Sequence, residues 1–430
     1  MAIDTLGANA LASNSVTTAK ISDDAVTSAK VAAGAVAVAD IADGSITTAK
    51  LADDAVTSAK LGDNAVTTAK IVDSAVTQPK TVAGKARNSV INGAMQIAQK
   101  NTSVTGLGGG SISADVCDLW YLTPSATAGR LTKSQVTDSP AGFSNSLKLD
   151  CTTADTSIAA GELLILSHKI EGLNLQQFEK GVSTAKAFAV SFYVKGNASA
   201  TYVCELYDHD NTRQVSQTFS VTTSWSRVSI VFPADTTGAF DKDNNLSLSL
   251  QIWLHAGSTY GGGTLSTTWT SVTQANRAVG ITSFFDSTAR TFQITGVQLE
   301  PVSVTDFEHR LMGDVLLQCQ RYLTMFKFIT QYGTIGSGKA NNTTDCNIHI
   351  DLPIQMRVKP TITHTDISTM RVDAGTSGNG VRSYNTVNNY LNEYGGLYNL
   401  QGASNLGGEG TGVVIRNEST GQQIRFSAEL

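Results

Sequence analysis

The sequence predicts a mainly β protein in three parts: a fibrous N-terminal shaft, a central jelly-roll β-sandwich and a small C-terminal β-sandwich tip. Three observations carry this. A ten-residue phrase recurs seven times over residues 11–80. Residues 88–310 read as many short alternating runs separated by Gly, Asn, Asp and Ser turns. Residues 327–430 return to such runs after one short helical stretch. The expected division is 1–10 as an attachment segment, 11–80 as the shaft, 81–310 as the jelly roll, 311–326 as a linking helix and 327–430 as the tip.

The shaft reads LASNSVTTAK, ISDDAVTSAK, VAAGAVAVAD, IADGSITTAK, LADDAVTSAK, LGDNAVTTAK and IVDSAVTQPK. Fixed-period self-similarity of this kind decides architecture. One copy has only Leu51, Ala55, Val56 and Ala59 to bury, against an ordering entropy of roughly 1–2 kcal/mol per residue. It cannot fold alone, so the repeat is expected to pack against identical neighbouring chains. Val26, Ile46, Leu51, Val56, Leu61, Val66 and Ile71 are the candidate contacts between chains. A continuous helix is disfavoured. At about 100° per residue, ten residues stop about 80° short of three turns, and the apolar stripe would wind around the rod. Asp43-Gly44, Asp53-Asp54 and Asp63-Asn64 are turn formers, and the β-branched pairs Thr17-Thr18, Thr47-Thr48 and Thr67-Thr68 favour extended chain. The expected unit is a turn at the acidic pair, a short extended Ala-Val-Thr, then one helical turn over Thr/Ser-Ala-Lys with Thr as N-cap. Seven such copies reach roughly 100–230 Å. Lys50 and Asp53, Lys60 and Asp63, and Lys70 and Asp73 are placed either to pair or to stay solvated.

Composition narrows the function. The chain has 430 residues and a formal charge of −5, with charged residues at 16%, so no strongly basic surface points to nucleic acid. Residues 1–10 lack a basic n-region and an apolar run, and no stretch approaches the roughly 18 apolar residues of a spanning helix. The expectation is synthesis in a cytoplasm without membrane insertion. Cys117, Cys151, Cys204, Cys319 and Cys346 form neither a CxxC pair nor a zinc pattern and are expected as buried free thiols.

Clear strand runs in the central part are residues 187–194, 202–206, 215–221, 226–232, 246–254 and 292–299, and residues 173–178 read as helical. Several chemical patterns fall short of a site. Residues 333–340 (GTIGSGKA) come near a P-loop, but Ala340 stands where a Mg²⁺-binding hydroxyl belongs. Asp241, Asp243 and Asn245 open like a calcium loop, yet Leu246 replaces the turning Gly and Ile252 the bidentate Glu. Asp208-His209-Asp210 precedes Asn211 and reads as a turn. Residues 106–110 (GLGGG) read as a flexible loop. Glu300, Asp306 and Glu308 have the residue types of a glycosidase pair, but capping of strands or contact with a partner chain is the expected role. The six histidines form no HExxH and there is no GxSxG elbow. No catalytic residue, metal or cofactor is expected, and the protein is expected not to be an enzyme.

Residues 88–95 (NSVINGAM), 115–120 (DVCDLW), 232–245 (FPADTTGAFDKDNN), 253–260 (WLHAGSTY), 262–269 (GGTLSTTW), 276–280 (NRAVG), 292–300 (FQITGVQLE), 307–310 (FEHR) and 317–322 (LQCQRY) occur in this order over some 235 residues. Together they resemble a widespread bacteriophage tail-fibre domain, and the decapeptide shaft is similar to those of virion proteins from marine phages. The resemblance implies a homotrimeric fibre of the virion tail, assembled in the host cytoplasm, with a central jelly roll like a carbohydrate-binding module. Its implied partners are two further copies of the chain, a tail or other virion adaptor held by residues 1–10, and host surface polysaccharide or lipopolysaccharide.

In residues 311–326, Val315, Cys319 and Tyr322 recur at helical spacing. Contact with partner chains at a trimer axis and packing within their own chain are both open. In the tip, residues 346–352, 361–364, 412–416 and 424–430 read as strands. Between them, residues 376–410 are rich in Gly, Asn, Ser and Tyr, a composition suited to binding surfaces because Tyr gives rigid contact area and Asn or Ser adaptable hydrogen bonds. Tyr384, Asn388, Tyr390, Asn392, Tyr394 and Tyr398 are the candidate receptor contacts. Two function classes remain in play: an adhesive tail fibre capturing a host surface by many weak glycan contacts, and a purely structural virion appendage. A depolymerase is disfavoured by the missing acid cluster.

Overall fold

A computed structural model describes residues 12–32, 34–52, 55–57, 61, 87–110, 115–328, 330, 333–365, 370–374, 387–403, 406–417 and 420–430. The chain divides into two units, Met1–Ala83 and Gly84–Leu430.

In the first unit each described decamer makes two tight turns. The first closes from the fifth residue's N–H to the second residue's carbonyl, as in Ser15 to Ala12 and Ser45 to Ala42, both 3.0 Å. Its fourth residue sits at positive φ: Asn14 at 63°, Asp24 at 59°, Gly34 at 80° and Gly44 at 73°. Those residue types tolerate the left-handed region, which is why the sequence keeps them there. The second turn is 3-10, at Thr18–Lys20, Ser28–Lys30, Val38–Asp40 and Thr48–Lys50. Thr17 precedes it in extended conformation without a side-chain cap bond, so the expected Thr cap is corrected. The lysine serves instead: Lys20, Lys30 and Lys50 each reach back 2.7 Å to the carbonyl of residues 15, 25 and 45. Asp40 replaces lysine in the third copy and accepts from Ala37 N–H at 2.8 Å. Lys50 therefore bonds within its own decamer, and the expected acidic partners Asp53, Asp63 and Asp73 lie outside the described residues, as do Lys60 and Lys70.

The consequence for packing is direct. Val16, Ile21, Val26, Val31, Val36, Ile41, Ile46, Leu51, Val56 and Leu61 recur every fifth residue, each between 41% and 59% exposed. Within one chain, nothing among the described residues of this unit is buried. Val66 and Ile71 lie outside the described residues.

The second unit opens with a sandwich of two antiparallel sheets. Its strands are β1 Ser103–Leu107, β2 Trp120–Ser125, β3 Arg130–Val136, β4 Ser146–Thr153, β5 Leu163–Glu171, β6 Phe188–Gly196, β7 Ala200–Asp208, β8 Arg213–Val221, β9 Ser226–Phe232, β10 Leu246–Ala256, β11 Thr270–Ser271 and β12 Thr291–Pro301. The first sheet runs β1-β3-β4-β12-β6-β9 and the second β11-β8-β7-β10-β5-β2. Strands β4 to β10 and β12 cross between the sheets in the order of a jelly roll. Alternation supplies the core. Leu164, Leu166 and Ile170 of β5 and Leu248, Leu250, Ile252 and Leu254 of β10 face Phe188, Val190, Phe192 and Val194 of β6 and Phe292 and Ile294 of β12. Residues 172–178 form a 3-10 helix, and all five cysteines are buried thiols.

The lead-in at residues 87–98 is stitched to this sandwich by its asparagines. Asn88 Oδ1 accepts from Val90 and Leu299 N–H at 2.9 and 3.0 Å, and Asn92 exchanges two bonds with the backbone of Ile97 at 2.8 and 2.9 Å. Glu308 accepts from the N–H groups of Arg87 and Asn88, both 2.9 Å, while Glu300 accepts from Thr305 N and Oγ1, both 2.7 Å. These carboxylates hold backbone donors. Ile91 N–H donates to His168 Nε2 at 3.0 Å, and the opposite ring nitrogen lies 3.0 Å from Leu119 O.

The expected helix over 311–326 is shorter, Met312–Gln320. It stops because residues 323–327 are claimed by a strand of the tip. Val315, Cys319 and Tyr322 are buried against Ile97 and Leu119 of their own chain. Their reading as contacts between chains is thereby corrected: the lead-in already fills the apolar face.

The tip comprises β13 Leu323–Lys327, β14 Thr334–Ala340, β15 Cys346–Asp351, β16 Thr361–His364, β17 Met370–Ala374, β18 Val387–Asn392, β19 Gly395–Leu400, β20 Gly412–Asn417 and β21 Gln423–Ser427. A three-stranded sheet β13-β21-β16 and a six-stranded sheet β17-β20-β14-β15-β19-β18 share one core around Ile348, Leu400, Val413, Ile415 and Phe426. The P-loop-like phrase is strand β14, with no helix after it to receive a phosphate.

Candidate functional site

Side chains alternate across a sheet, so the register decides what the outer face of the second sheet carries. Across β8, β7, β10, β5 and β2 one row reads Ser216, Glu205, Gln251, Ser167 and Tyr121. The row on one side is Gln214, Tyr207, Ser249 and Lys169. On the other side it is Thr218, Val203, Trp253, Ile165 and Thr123. A solvated sheet face would be plainly polar; this one mixes aromatic rings with groups that are mostly buried.

A strap over residues 257–281 explains the burial. Its Tyr260, Leu265, Ala278 and Ile281 pack on Ile165, Val203 and Trp253, and it delivers Arg277 to the middle of the face. Arg277 Nε and Nη2 donate to the two oxygens of Glu205 at 3.0 and 2.8 Å. Trp253 Nε1 donates to the same carboxylate at 2.8 Å. The guanidinium also reaches Gln251 Oε1 and Gln274 Oε1, both 3.1 Å, and lies 4.7 Å from the Tyr207 ring centre and 4.8 Å from that of Trp253. Glu205 is fully buried. A charge so placed needs a fork-shaped partner, and arginine supplies it bidentately. Both carboxylate oxygens are committed, so Glu205 orients Arg277 rather than offering itself as an acid or base.

What faces outward is therefore rigid. Tyr207, Gln251 and Lys169 are half-buried and His209 is exposed. His209 Nε2 lies 2.9 Å from Ser249 Oγ, and its ring is 4.6 Å from that of Tyr207. Lys169 stands 4.4 Å over the Tyr121 ring and donates to Leu430 O at 2.5 Å. The plate offers the Tyr207 ring, the Gln251 amide and the Lys169 ammonium, backed by the buried Arg277 guanidinium that fixes the first two. This is equipment for holding a polar ligand with apolar ring faces.

The residues chosen from sequence do not gather into one surface. Tyr384 lies outside the described residues. Asn388 and Tyr390 lie on β18, at the edge of the tip sheet. Asn392 is exposed and accepts from Tyr394 N–H at 2.9 Å in the β18–β19 turn, where Tyr394 is 60% exposed. Tyr398 is corrected: it is fully buried on β19, with its hydroxyl on His364. Sequence reasoning missed Tyr207, Gln251 and Arg277. Arg277 stands inside NRAVG and Trp253 opens WLHAGSTY, two of the phrases that marked the domain, though nothing local singles them out as partners. The remaining near-motifs are structural. Asn245 hydrogen-bonds Asp243 within its turn at 2.9 Å, and Asp208 pairs with buried Lys180 at 2.7 Å. Among the described residues, no three His, Cys, Asp or Glu side chains are placed to hold a metal ion, and no helix is long and apolar enough to cross a membrane.

No family model matches the chain, and no curated protein does. Solved structures similar to part of it include a family 4 carbohydrate-binding module, at 11% identity and a TM-score of 0.27, covering 50% of this chain and 99% of that one. The enzymatically active domain of bacteriophage CBA120 tailspike protein 4 is similar at 14% identity and a TM-score of 0.26, covering 50% of this chain but only 21% of that one. A family 11 carbohydrate-binding module from Clostridium thermocellum, in complex with a β-1,3-1,4-mixed-linked tetrasaccharide, is similar at 10% identity and a TM-score of 0.23, covering 44% and 91%. At these scores none of them fixes the function.

Proposed function

We propose that the chain is a non-enzymatic bacteriophage tail fibre: a homotrimer, held to the particle by residues 1–10, that binds host surface polysaccharide or lipopolysaccharide through its β domains. The observation that carries the binding part is the Arg277 plate. A buried Glu205 and Trp253 fix a guanidinium against Tyr207, with Gln251, His209 and Lys169 around it. Sugars present apolar ring faces and hydroxyls, which such a preorganised mixture of rings and planar polar groups can meet at small entropic cost. The shaft supports the fibrous part. Its aliphatics recur every fifth residue and stay half exposed in a single chain, and the surface with the same period is the same repeat in a sister chain. Three chains, and several fibres on a particle, turn weak contacts into firm capture through effective concentration. The test is competition for adsorption: saturating purified fibre is expected to block phage binding to host cells, and Arg277→Met fibre to block far less. Infection untouched by the wild-type protein would leave only a structural appendage.

A further inference from the structure

The opposite face of the sandwich has a cleft of its own. On the outer side of the first sheet, β4, β12 and β6 place Lys148, Gln293 and Lys195 in one row. The row floors an open cleft of about 360 Å³, walled by Thr137, Asp138, Asn197 and Thr291. Asp138 is held by three donors: Lys195 Nζ at 2.7 Å, Trp225 Nε1 at 3.1 Å and Gln293 Nε2 at 3.1 Å. The hydrogen bond from Lys195, with those from Trp225 and Gln293, keeps its carboxyl below the usual range. Trp225 is half-buried with Lys195 Nζ 5.9 Å from its ring centre. One step along the same face Tyr193 meets Phe143 at 5.4 Å, and Phe143 meets Phe307 at 5.0 Å.

We infer that this cleft is a second saccharide-binding site, independent of the Arg277 plate, and that it takes a neutral sugar unit. Charge decides the class. Lys195 is matched by Asp138 and Lys148 by Asp150 at 2.7 Å, so the cleft carries no net positive charge to attract a phosphate or uronate. What it presents is an alternation of ammonium, amide and ammonium at strand spacing, about 4.8 Å, with the Asp138 carboxylate held against it, beside an indole and a phenol. Neighbouring hydroxyls on a neutral ring both donate and accept, and this alternation suits them. The two sites lie on outer faces of different sheets with the whole core between them, so they share no residue.

The experiment titrates the full-length fibre with neutral hexasaccharides (maltohexaose, cellohexaose, mannohexaose and xylohexaose) and with hexagalacturonate as the acidic control. Calorimetry gives the stoichiometry, and the part of the tryptophan-fluorescence change that Trp225→Ala abolishes reports this cleft. Wild type is expected to take two neutral chains per polypeptide. Trp225→Ala and, separately, Lys148→Met are expected to weaken one of them at least tenfold while leaving the thermal melt in place. Arg277→Met is expected to remove the other site; loss on Trp225→Ala but not on Arg277→Met supports this cleft and counts against the plate. One site per chain, insensitive to both Trp225→Ala and Lys148→Met, overturns the inference, as does binding of hexagalacturonate in place of the neutral sugars.

Discussion

His168 gives the structure a pH dependence that can be worked from its contacts. The ring sits at the centre of the sandwich, stacked 5.3 Å from Trp120, and is 1% exposed. Nε2 accepts the Ile91 N–H, so its proton must reside on Nδ1, facing Leu119 O. Burial, partly opposed by the bond to Leu119, lowers its pKa from 6.5 to about 4. The unfolded ring takes up a proton below pH 6.5 and the folded ring only below about 4. Between those values the unfolded state holds more protons, so stability falls as the pH falls. A difference of 2.5 units, at about 1.36 kcal/mol each, amounts to roughly 3 kcal/mol. His168→Gln keeps an acceptor for Ile91 and a donor for Leu119 without titrating. Urea unfolding followed by tryptophan fluorescence at pH 7 and pH 4 should show wild type losing roughly 3 kcal/mol more than the variant. Equal losses in the two proteins would refute the burial argument.

Other perturbations follow from single contacts. Lys180, fully buried, holds Asp208 at 2.7 Å and Asp235 at 3.2 Å; Lys180→Met strands Asp208, while Arg213 still holds Asp235 at 2.8 Å, and should cost about 3–5 kcal/mol in a denaturant titration, whereas a loss below about 1 kcal/mol would show the cluster to be solvated. Gly296 has φ 62°, and a Cβ there would stand 2.7 Å from Phe143 Cζ and 2.9 Å from Tyr193 Cδ2; Gly296→Ala should cost about 1–3 kcal/mol, and an unchanged melt would mean that the ring pair is loose. Tyr398→Phe removes only the hydroxyl on His364; it should destabilise the tip by about 1 kcal/mol and leave host binding unchanged, and a binding defect would restore Tyr398 as a contact.

The strands were readable because alternation is local. Residues 226–232 and 361–364 show it clearly, and both are strands with those bounds. The turn of the repeat was equally readable, since Asn, Asp or Gly at its fourth residue is what a positive φ demands. Long-range pairing was not. Residues 323–327 carry helical spacing, yet they pair with β21 a hundred residues later, and that bond ends the helix at Gln320. The lysine caps of the shaft depend on a turn geometry that spacing alone does not give. The plate was hidden for the same reason. Glu205 and Arg277 stand 72 positions apart, and only the register of β7, β10 and their strap brings them together. In the tip, tyrosine content signalled a surface, but the inward parity of β19 had already consigned Tyr398 to the core.

The account rests most heavily on the shaft, where ten aliphatics at five-residue spacing remain 41–59% exposed in one chain. Analytical ultracentrifugation of the full-length protein, wild type against a variant with Val26, Ile46, Leu51 and Val56 all changed to Ser, measures this directly. Wild type should sediment as three chains whose repeat region resists protease, and the variant's repeat should be cut within the same digestion. A wild-type protein that sediments as one chain with a protease-resistant repeat would contradict it.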